Sequence, residues 1–383
     1  MSAPSYDTAI IGAGIHGAAF AQVAAERGYS CLVLEQYSAP AQGTSSRSSK
    51  LIHGGLRYLE TAQFNLVREC LRERARLLAE FPDLVREVAF YIPIYNESKR
   101  RPWQIASGLL LYQVLGGKGF HRVPKDRWRE LDGIRMDGLQ AVFRYTDAGT
   151  DDAALTRAVL RKATRAGAVV QLQAQFMEAI RETDGYLIRY RTGEATQECR
   201  SRVLINAAGP WVNQVLDRVR PAPARRELEL VAGAHIVIPG TLQHGIYYLE
   251  SPSDHRAVFA QPWQGNILMG TTERVYTGAP EDVVPTPEEI EYLLGIFNHY
   301  FRRGLHPGDV LSAFAGLRVL PATPESPFAR TRETLLQEDD SKDPHLFTIY
   351  GGKLTSHHAT AEKLLRRVSP LLRDGSRRTV RPA

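Results

Sequence analysis

Short apolar runs broken by glycine and proline alternate with stretches whose apolar residues recur every three or four positions, the pattern of a chain that mixes strands and helices. The runs 8–11 and 31–34 predict strands, with a helix over 18–27 between them. Residues 63–80 place Phe64, Val67, Leu71 and Leu78 at helical spacing with charges between them, an amphipathic helix. A helix over 152–166 is followed by strands at 169–172, 176–181 and 186–191, the last two joined by the turn Thr183-Asp184-Gly185. The strand at 203–207 ends at a Gly-Pro break. Short β runs then dominate from 227 to 272, a sheet domain inserted into another domain. Thr286, Pro287 and Glu289 form the cap, first-turn proline and third-position acid of a capping box, opening a helix to about residue 301. Strands at 310–314 and 346–349 return the chain to the first domain, and Gly351-Gly352 leads into a last helix over 354–372.

The first of these elements carry a second signal. Gly12, Gly14 and Gly17 stand in the frame GAGIHG between strand and helix, and Glu35 ends the next strand 18 residues past Gly17. That is the order of a dinucleotide-binding unit: one glycine for the tight turn, one for close approach to a pyrophosphate, one for helix–strand packing. The pyrophosphate would lie at the helix N-terminus, where free N–H groups and the dipole favour an anion. Glu35 would accept from a ribose diol, and an acid there argues against a 2′-phosphate, hence against NADP. The motif alone leaves NAD and FAD both open.

The run TSSRSSKLIHGGLRYLE at 44–60 has no core-forming period, yet it gathers hydroxyls, two arginines, a lysine, a histidine and a tyrosine around two adjacent glycines. Those groups read as collected for a ligand. With it, NAAGPW at 206–211, GAHIVIP at 233–239, GTTE at 270–273, GLR at 316–318 and GGKLTSHH at 351–358 run in one order over nearly the whole chain. In these blocks the sequence resembles the FAD-dependent glycerol-3-phosphate dehydrogenases and glycerophosphate oxidases, within the D-amino-acid-oxidase-like flavoproteins. The first and last blocks are the specific ones. The sequence departs from that family in Glu273, where an aspartate is usual, in SHH for TYR after GGKLT, and in GLRVL for GVRPL. It also stops soon after the last predicted helix, so the family's extra C-terminal helical domain is expected to be absent.

The resemblance implies a Rossmann-like FAD-binding domain interleaved with an antiparallel β-sheet substrate domain: 1–80, 150–220 and 308–383 against 81–149 and 221–307. It implies FAD contacts from Gly12, Gly14, Ile15, His16, Gly17, Glu35 and Gln36, and from Thr44, Ser45, Ser46, Ser48, Ser49, Lys50, Leu51 and His53. Further cofactor contacts fall to Ala207, Ala208, Gly209, Trp211, Gly316, Arg318, Gly351, Gly352, Lys353, Leu354 and Thr355. The N-terminus of the last helix, at Gly352 to Thr355, would present N–H groups and one cation to the flavin. A substrate phosphate suits planar arginine forks, and Arg57, Arg318 and Arg332 stand at matching positions, Arg330 being an alternative to the last. Tyr58, Lys353 and Thr355 complete the implied substrate contacts, and His53, His235, Arg318 and Lys353 the catalytic set. His53 lies between Lys50 and Arg57, whose charges favour its neutral form as a base, with His235 the second candidate.

The implied reaction is oxidation of sn-glycerol 3-phosphate to dihydroxyacetone phosphate, with electrons passed to quinone, oxygen or another acceptor. Two alternatives stay open: another hydroxy acid, phosphorylated alcohol or amino acid as substrate, and flavin binding without turnover. Composition narrows the picture further. The excess of 48 basic over 42 acidic residues suits an anionic substrate or membrane surface, and no basic–aromatic stripe points to nucleic acid. The basic tail at 366–381 reads as a solvated end. Cys31, Cys70 and Cys199 are scattered and odd in number, which points to buried fillers, no zinc site and a reducing cytoplasm. The stretch 102–115, with Trp103, Ile105, Leu109, Leu110 and Val114 beside Arg100 and Arg101, is either an interfacial membrane helix or a helix buried under the sheet domain. A monomer and a homodimer are equally open.

Overall fold

A computed structural model describes residues 3–322 and 334–372. The chain forms two compact units, Met1–Ser46 with Asp151–Leu230 and Arg318–Ala383, and Arg47–Thr150 with Val231–Leu317.

The first unit is built on a parallel sheet. Val169–Gln171, Cys31–Leu34, Ser5–Ile11, Ala195–Asn206 and Leu346–Tyr350 lie side by side in that order, all parallel. Such strands are buried on both faces and so read as continuous apolar runs, as Cys31–Leu34 does with all four residues buried. The long strand Ala195–Asn206 changes partners along its length: its first half pairs antiparallel with Gly185–Thr192 and its second half parallel with Ser5–Ile11. The hairpin of Ala174–Glu182 and Gly185–Thr192 forms where the Thr183-Asp184-Gly185 turn placed it. Helix Ile15–Glu26 is rich in alanine and buried along most of its length, and it packs between helices Asp152–Arg165 and His357–Val368. Asp151 caps helix Asp152–Arg165 by accepting from the Ala154 N–H.

The second unit is a mainly antiparallel sheet in which Ile246–Glu250 pairs parallel with Val85–Tyr95. Alternation along its strands sends side chains to two separate cores. Tyr247, Leu249, Val258, Ile236 and Met269 meet Leu293, Phe297 and Tyr300 of helix Pro287–Tyr300 on one face. Ile246, Tyr248, Phe90, Ile92 and Tyr145 meet Leu66, Val67 and Leu71 of helix Phe64–Glu80 and Ile105, Leu109 and Tyr112 of helix Pro102–Val114 on the other. Each fully buried large side chain contributes about 1.5–3 kcal/mol by leaving water. The capping box at Thr286 and Glu289 is present.

Two expectations need correction. Residues 47–80 belong with the second unit, because the apolar stripe of Phe64–Glu80 is buried on that unit's sheet. The last helix begins at His357, not at the glycine pair. Gly351 and Gly352 have φ of 70° and 107°, a left-handed turn that stands outside the helix. Helix Pro102–Val114 is buried on one side, at Ile105, Leu109 and Tyr112, while Trp103, Leu110 and Val114 are 69%, 57% and 74% exposed. Arg330 and Arg332 and most of the basic tail lie outside the described residues. The three cysteines are unpaired with one another and buried. No helix among the described residues is long and apolar enough to cross a membrane.

Candidate active site

The glycine loop is a place where the backbone has no room for a side chain. A Cβ on Gly17 would stand 2.0 Å from the Gly12 carbonyl oxygen, and one on Gly12 would stand 2.8 Å from the Ala207 carbonyl oxygen. Gly12 also takes φ of 102°. The loop therefore hugs both the helix it starts and the end of the neighbouring strand, which is the close approach a pyrophosphate needs. The Ile15 N–H, at the start of the helix, donates to Ser45 Oγ at 2.9 Å, which ties the first residues of the 44–60 run to the glycine loop. Glu35 is buried and accepts from the Ala13 N–H at 2.7 Å and from the Tyr37 N–H at 3.0 Å. Burial pushes its carboxyl above the ordinary value, and these backbone donors pull it back.

His16 closes one side of this cradle. A Cβ on Gly352 would lie 2.1 Å from His16 Nε2, so the imidazole sits directly on the backbone of the GGKL turn. Its Nδ1 is buried without a hydrogen-bond partner, and burial together with the nearby His357 lowers its pKa to about 3, which keeps the ring neutral. An orphaned buried nitrogen beside a glycine-bared backbone fits a bound cofactor that supplies the missing partner. His357 Nδ1 lies 2.6 Å from the Leu354 carbonyl and stiffens the same turn. Trp211 meets Tyr37 edge-on, with ring centroids 6.0 Å apart, and its indole would be 3.1 Å from a Cβ on Gly43. Ala207, Ala208 and Gly209 follow the strand end, and Arg318, Lys353 and Thr355 belong to this same unit.

The second unit assembles a different cluster. Leu51–Ile52 pairs antiparallel with Ala148 and Gly149, and the Lys50 carbonyl accepts from the Thr150 N–H at 2.9 Å. Lys50 is 6% exposed with φ of 59°, and its ammonium stands 5.3 Å from the Trp263 ring centre and 5.4 Å from that of Phe314. The ring of His235 stacks on Phe314 at 5.0 Å, and its Nε2 shares a hydrogen bond of 2.9 Å with Ser49 Oγ. Gln261 Nε2 donates to the Ser49 carbonyl at 2.7 Å. His235 and Gly270 are cross-strand partners, and a Cβ on Gly270 would fall 2.0 Å from the imidazole; the glycine of GTTE is what admits the ring. His53 meets the edge of Phe259 with centroids 6.2 Å apart. Gly55, with φ of 80°, starts the short 3-10 turn Leu56–Leu59 that carries Arg57 and Tyr58, the guanidinium lying 5.3 Å from the Tyr58 ring centre. A Cβ on Gly316 would strike the Arg47 carbonyl at 2.5 Å.

The structure thus brings Ser49, Lys50 and His235 together and places His53, Arg57 and Tyr58 on the following turn. Glu273, the longer acid of GTTE, pairs with Arg256 at 3.3 Å. Sequence reasoning missed Gln261, Trp263 and Phe314, whose only signal is alternation along short strands, and the buried group behind Gly54 described below.

A parallel sheet with a glycine-rich first turn, joined to an antiparallel sheet bearing a cationic loop, defines a dinucleotide-dependent oxidoreductase. The chain belongs to the FAD dependent oxidoreductase (DAO) family, whose sequence pattern matches residues 7–367. It is 37% identical over 372 residues to the D-erythritol 1-phosphate dehydrogenase of Brucella abortus, covering 94% of this chain and 73% of that protein. It is also 37% identical over 377 residues to the glycerol-3-phosphate dehydrogenase of Pseudomonas aeruginosa, covering 95% and 72%. Among solved structures, the glycerol-3-phosphate dehydrogenase of Bacillus halodurans complexed with FAD superposes with a TM-score of 0.77 at 26% identity. That match covers 96% of this chain and 64% of the Bacillus one. FAD is the cofactor.

Proposed function

We propose that the protein oxidises a short polyol phosphate at its secondary hydroxyl, with sn-glycerol 3-phosphate as the first substrate, yielding the ketone phosphate. FAD, when bound, supplies the hydride acceptor. The remaining work belongs to side chains. Arg57, planar and permanently charged, is suited to hold the phosphate. His53 or His235 takes the hydroxyl proton; His235 is the better oriented, through Ser49, Phe314 and Gly270. Electrons leave to quinone or another acceptor, and the exposed apolar residues Trp103, Leu110 and Val114 are suited to rest on a membrane surface where a quinone would be met.

The observation that carries this reading is the 50–58 loop, which sets Lys50, His53 and Arg57 on a constrained support in a chain 37% identical to two polyol-phosphate dehydrogenases. Brucella abortus D-erythritol 1-phosphate dehydrogenase is as similar as the glycerol-3-phosphate enzyme, so a four-carbon polyol phosphate is the second reading. Turnover with an artificial acceptor tests both. Activity on glycerol 3-phosphate, with none on glycerol or glycine, supports the proposal; a preference for D-erythritol 1-phosphate moves it to the second reading. Activity confined to amino acids refutes it.

A further inference from the structure

Behind the 50–58 loop lies a buried polar chain. The Gly54 N–H donates to the Tyr112 hydroxyl at 2.8 Å. That hydroxyl donates to Asp147 Oδ2 at 2.7 Å. The other carboxylate oxygen, Oδ1, accepts from Arg74 Nη1, whose guanidinium also donates to the Thr146 carbonyl at 3.3 Å. The Arg74 and Asp147 side chains are 5% and 1% exposed, and Tyr112 is 1% exposed. Taking an ion pair out of water costs several kcal/mol, and replacing it with well-packed apolar residues is often neutral or better for stability. A pair kept in such a place needs another reason.

Its placement supplies one. Asp147 precedes Ala148 and Gly149, the residues that pair with Leu51–Ile52, so one strand grips the entry to the loop by backbone and Gly54 by side chain. Gly54 has no side chain to grip: a Cβ there would stand 2.4 Å from the Tyr112 hydroxyl and 2.7 Å from Leu71. The hydroxyl fills the space the glycine vacates and fixes that amide between His53 and Arg57.

We infer that Tyr112, Asp147 and Arg74 form a positioning chain that sets the His53–Arg57 turn for its anionic substrate, an inference that rests on the function proposed for that turn. The chain spans four elements: helix Phe64–Glu80 carries Arg74, helix Pro102–Val114 carries Tyr112, strand Leu139–Thr150 carries Asp147, and the loop carries Gly54. Tyr112→Phe keeps the ring and removes the hydroxyl that links the Gly54 N–H to Asp147.

The test is hydrogen exchange of the variant, with FAD bound, together with its kinetics. Exchange of the 52–58 amides should rise about tenfold or more while strand Ser5–Ile11 stays protected, the scale expected for losing one buried hydrogen bond. KM for the polyol phosphate should rise several-fold with kcat within about twofold. Should Tyr112→Phe not fold, Asp147→Asn, which keeps an acceptor for the hydroxyl, should give a smaller rise confined to the same amides. Unchanged exchange at 52–58, or a rise shared by the whole second unit, overturns the inference. If the wild type turns over no polyol phosphate, the proposed function fails while the exchange result still decides whether the chain holds the loop.

Discussion

The two glycine-bearing loops hold their backbone in place by opposite means. In the first unit, the 12–17 loop is held mainly by sterics, Gly17 against the Gly12 carbonyl and Gly12 against Ala207, with Glu35 and Ser45 accepting from the Ala13 and Ile15 N–H groups. In the second unit, the 50–58 loop is held by a buried ion pair, a tyrosine and one strand. A loop of the first kind is set as soon as strand and helix pack. A loop of the second kind depends on side chains arriving from distant parts of the chain.

Breaking the first loop should have the largest effect. Gly17→Ala puts a methyl 2.0 Å from a carbonyl oxygen that belongs to the loop itself, and overpacking against backbone costs about 1–3 kcal/mol or more. The purified variant is expected to contain less than about a tenth of the wild-type FAD, read from its visible absorbance. Asp147→Ala should come next, because it leaves the Arg74 guanidinium buried without its carboxylate, a loss of about 3–5 kcal/mol that a denaturant titration would register. FAD content of whatever folds should be near normal, which separates the two loops.

A pH experiment sharpens the same contrast. Burial pushes the Asp147 carboxyl up to about 6 against an ordinary 3.8, opposed by the Arg74 charge and by hydrogen bonds from Tyr112, Arg74 and Gly54. Tyr145, also buried, faces the same carboxylate. Since the folded pKa is the higher, the folded state takes up this proton first. The stability it contributes is complete below about 4 and is lost as pH rises through about 6. The difference in unfolding free energy between wild type and Asp147→Asn should therefore vary with pH between about 4 and 6 and be flat from 7 to 8.

Smaller effects follow at the rim. Gly270→Ala should push the His235 ring off Ser49 and slow substrate-driven flavin reduction about tenfold or more with FAD retained. Leu110→Glu, on the exposed face of helix Pro102–Val114, should change stability by less than about 0.5 kcal/mol. It should weaken binding to anionic vesicles, and equal binding by variant and wild type would remove that helix as a membrane contact.

The same contrast explains what the sequence made legible. Gly12, Gly14, Gly17 and Glu35 could be read directly because their spacing is dictated by local geometry. The hairpin at Thr183 and the capping box at Thr286 were legible for the same reason. Strands Val85–Tyr95 and Leu139–Thr150 were not: the first is apolar for most of its length and contains Pro93, so no period-two pattern marks it. Tyr112, Asp147 and Arg74 carry no local signal, since their meaning lies in contacts 35 and 73 residues apart along the chain. The helix start at Gly352 was misplaced because GGKLTSHH looks like a helix entrance until two left-handed glycines are counted.

The most direct measurement is anaerobic addition of sn-glycerol 3-phosphate, and separately D-erythritol 1-phosphate, to the FAD-loaded protein while its visible absorbance is followed. Bleaching by at least one of them at micromolar to millimolar concentration is the predicted result. A protein that stays yellow with both, yet is bleached by an amino acid or an unphosphorylated alcohol, would contradict the assignment of the 50–58 loop to a phosphate.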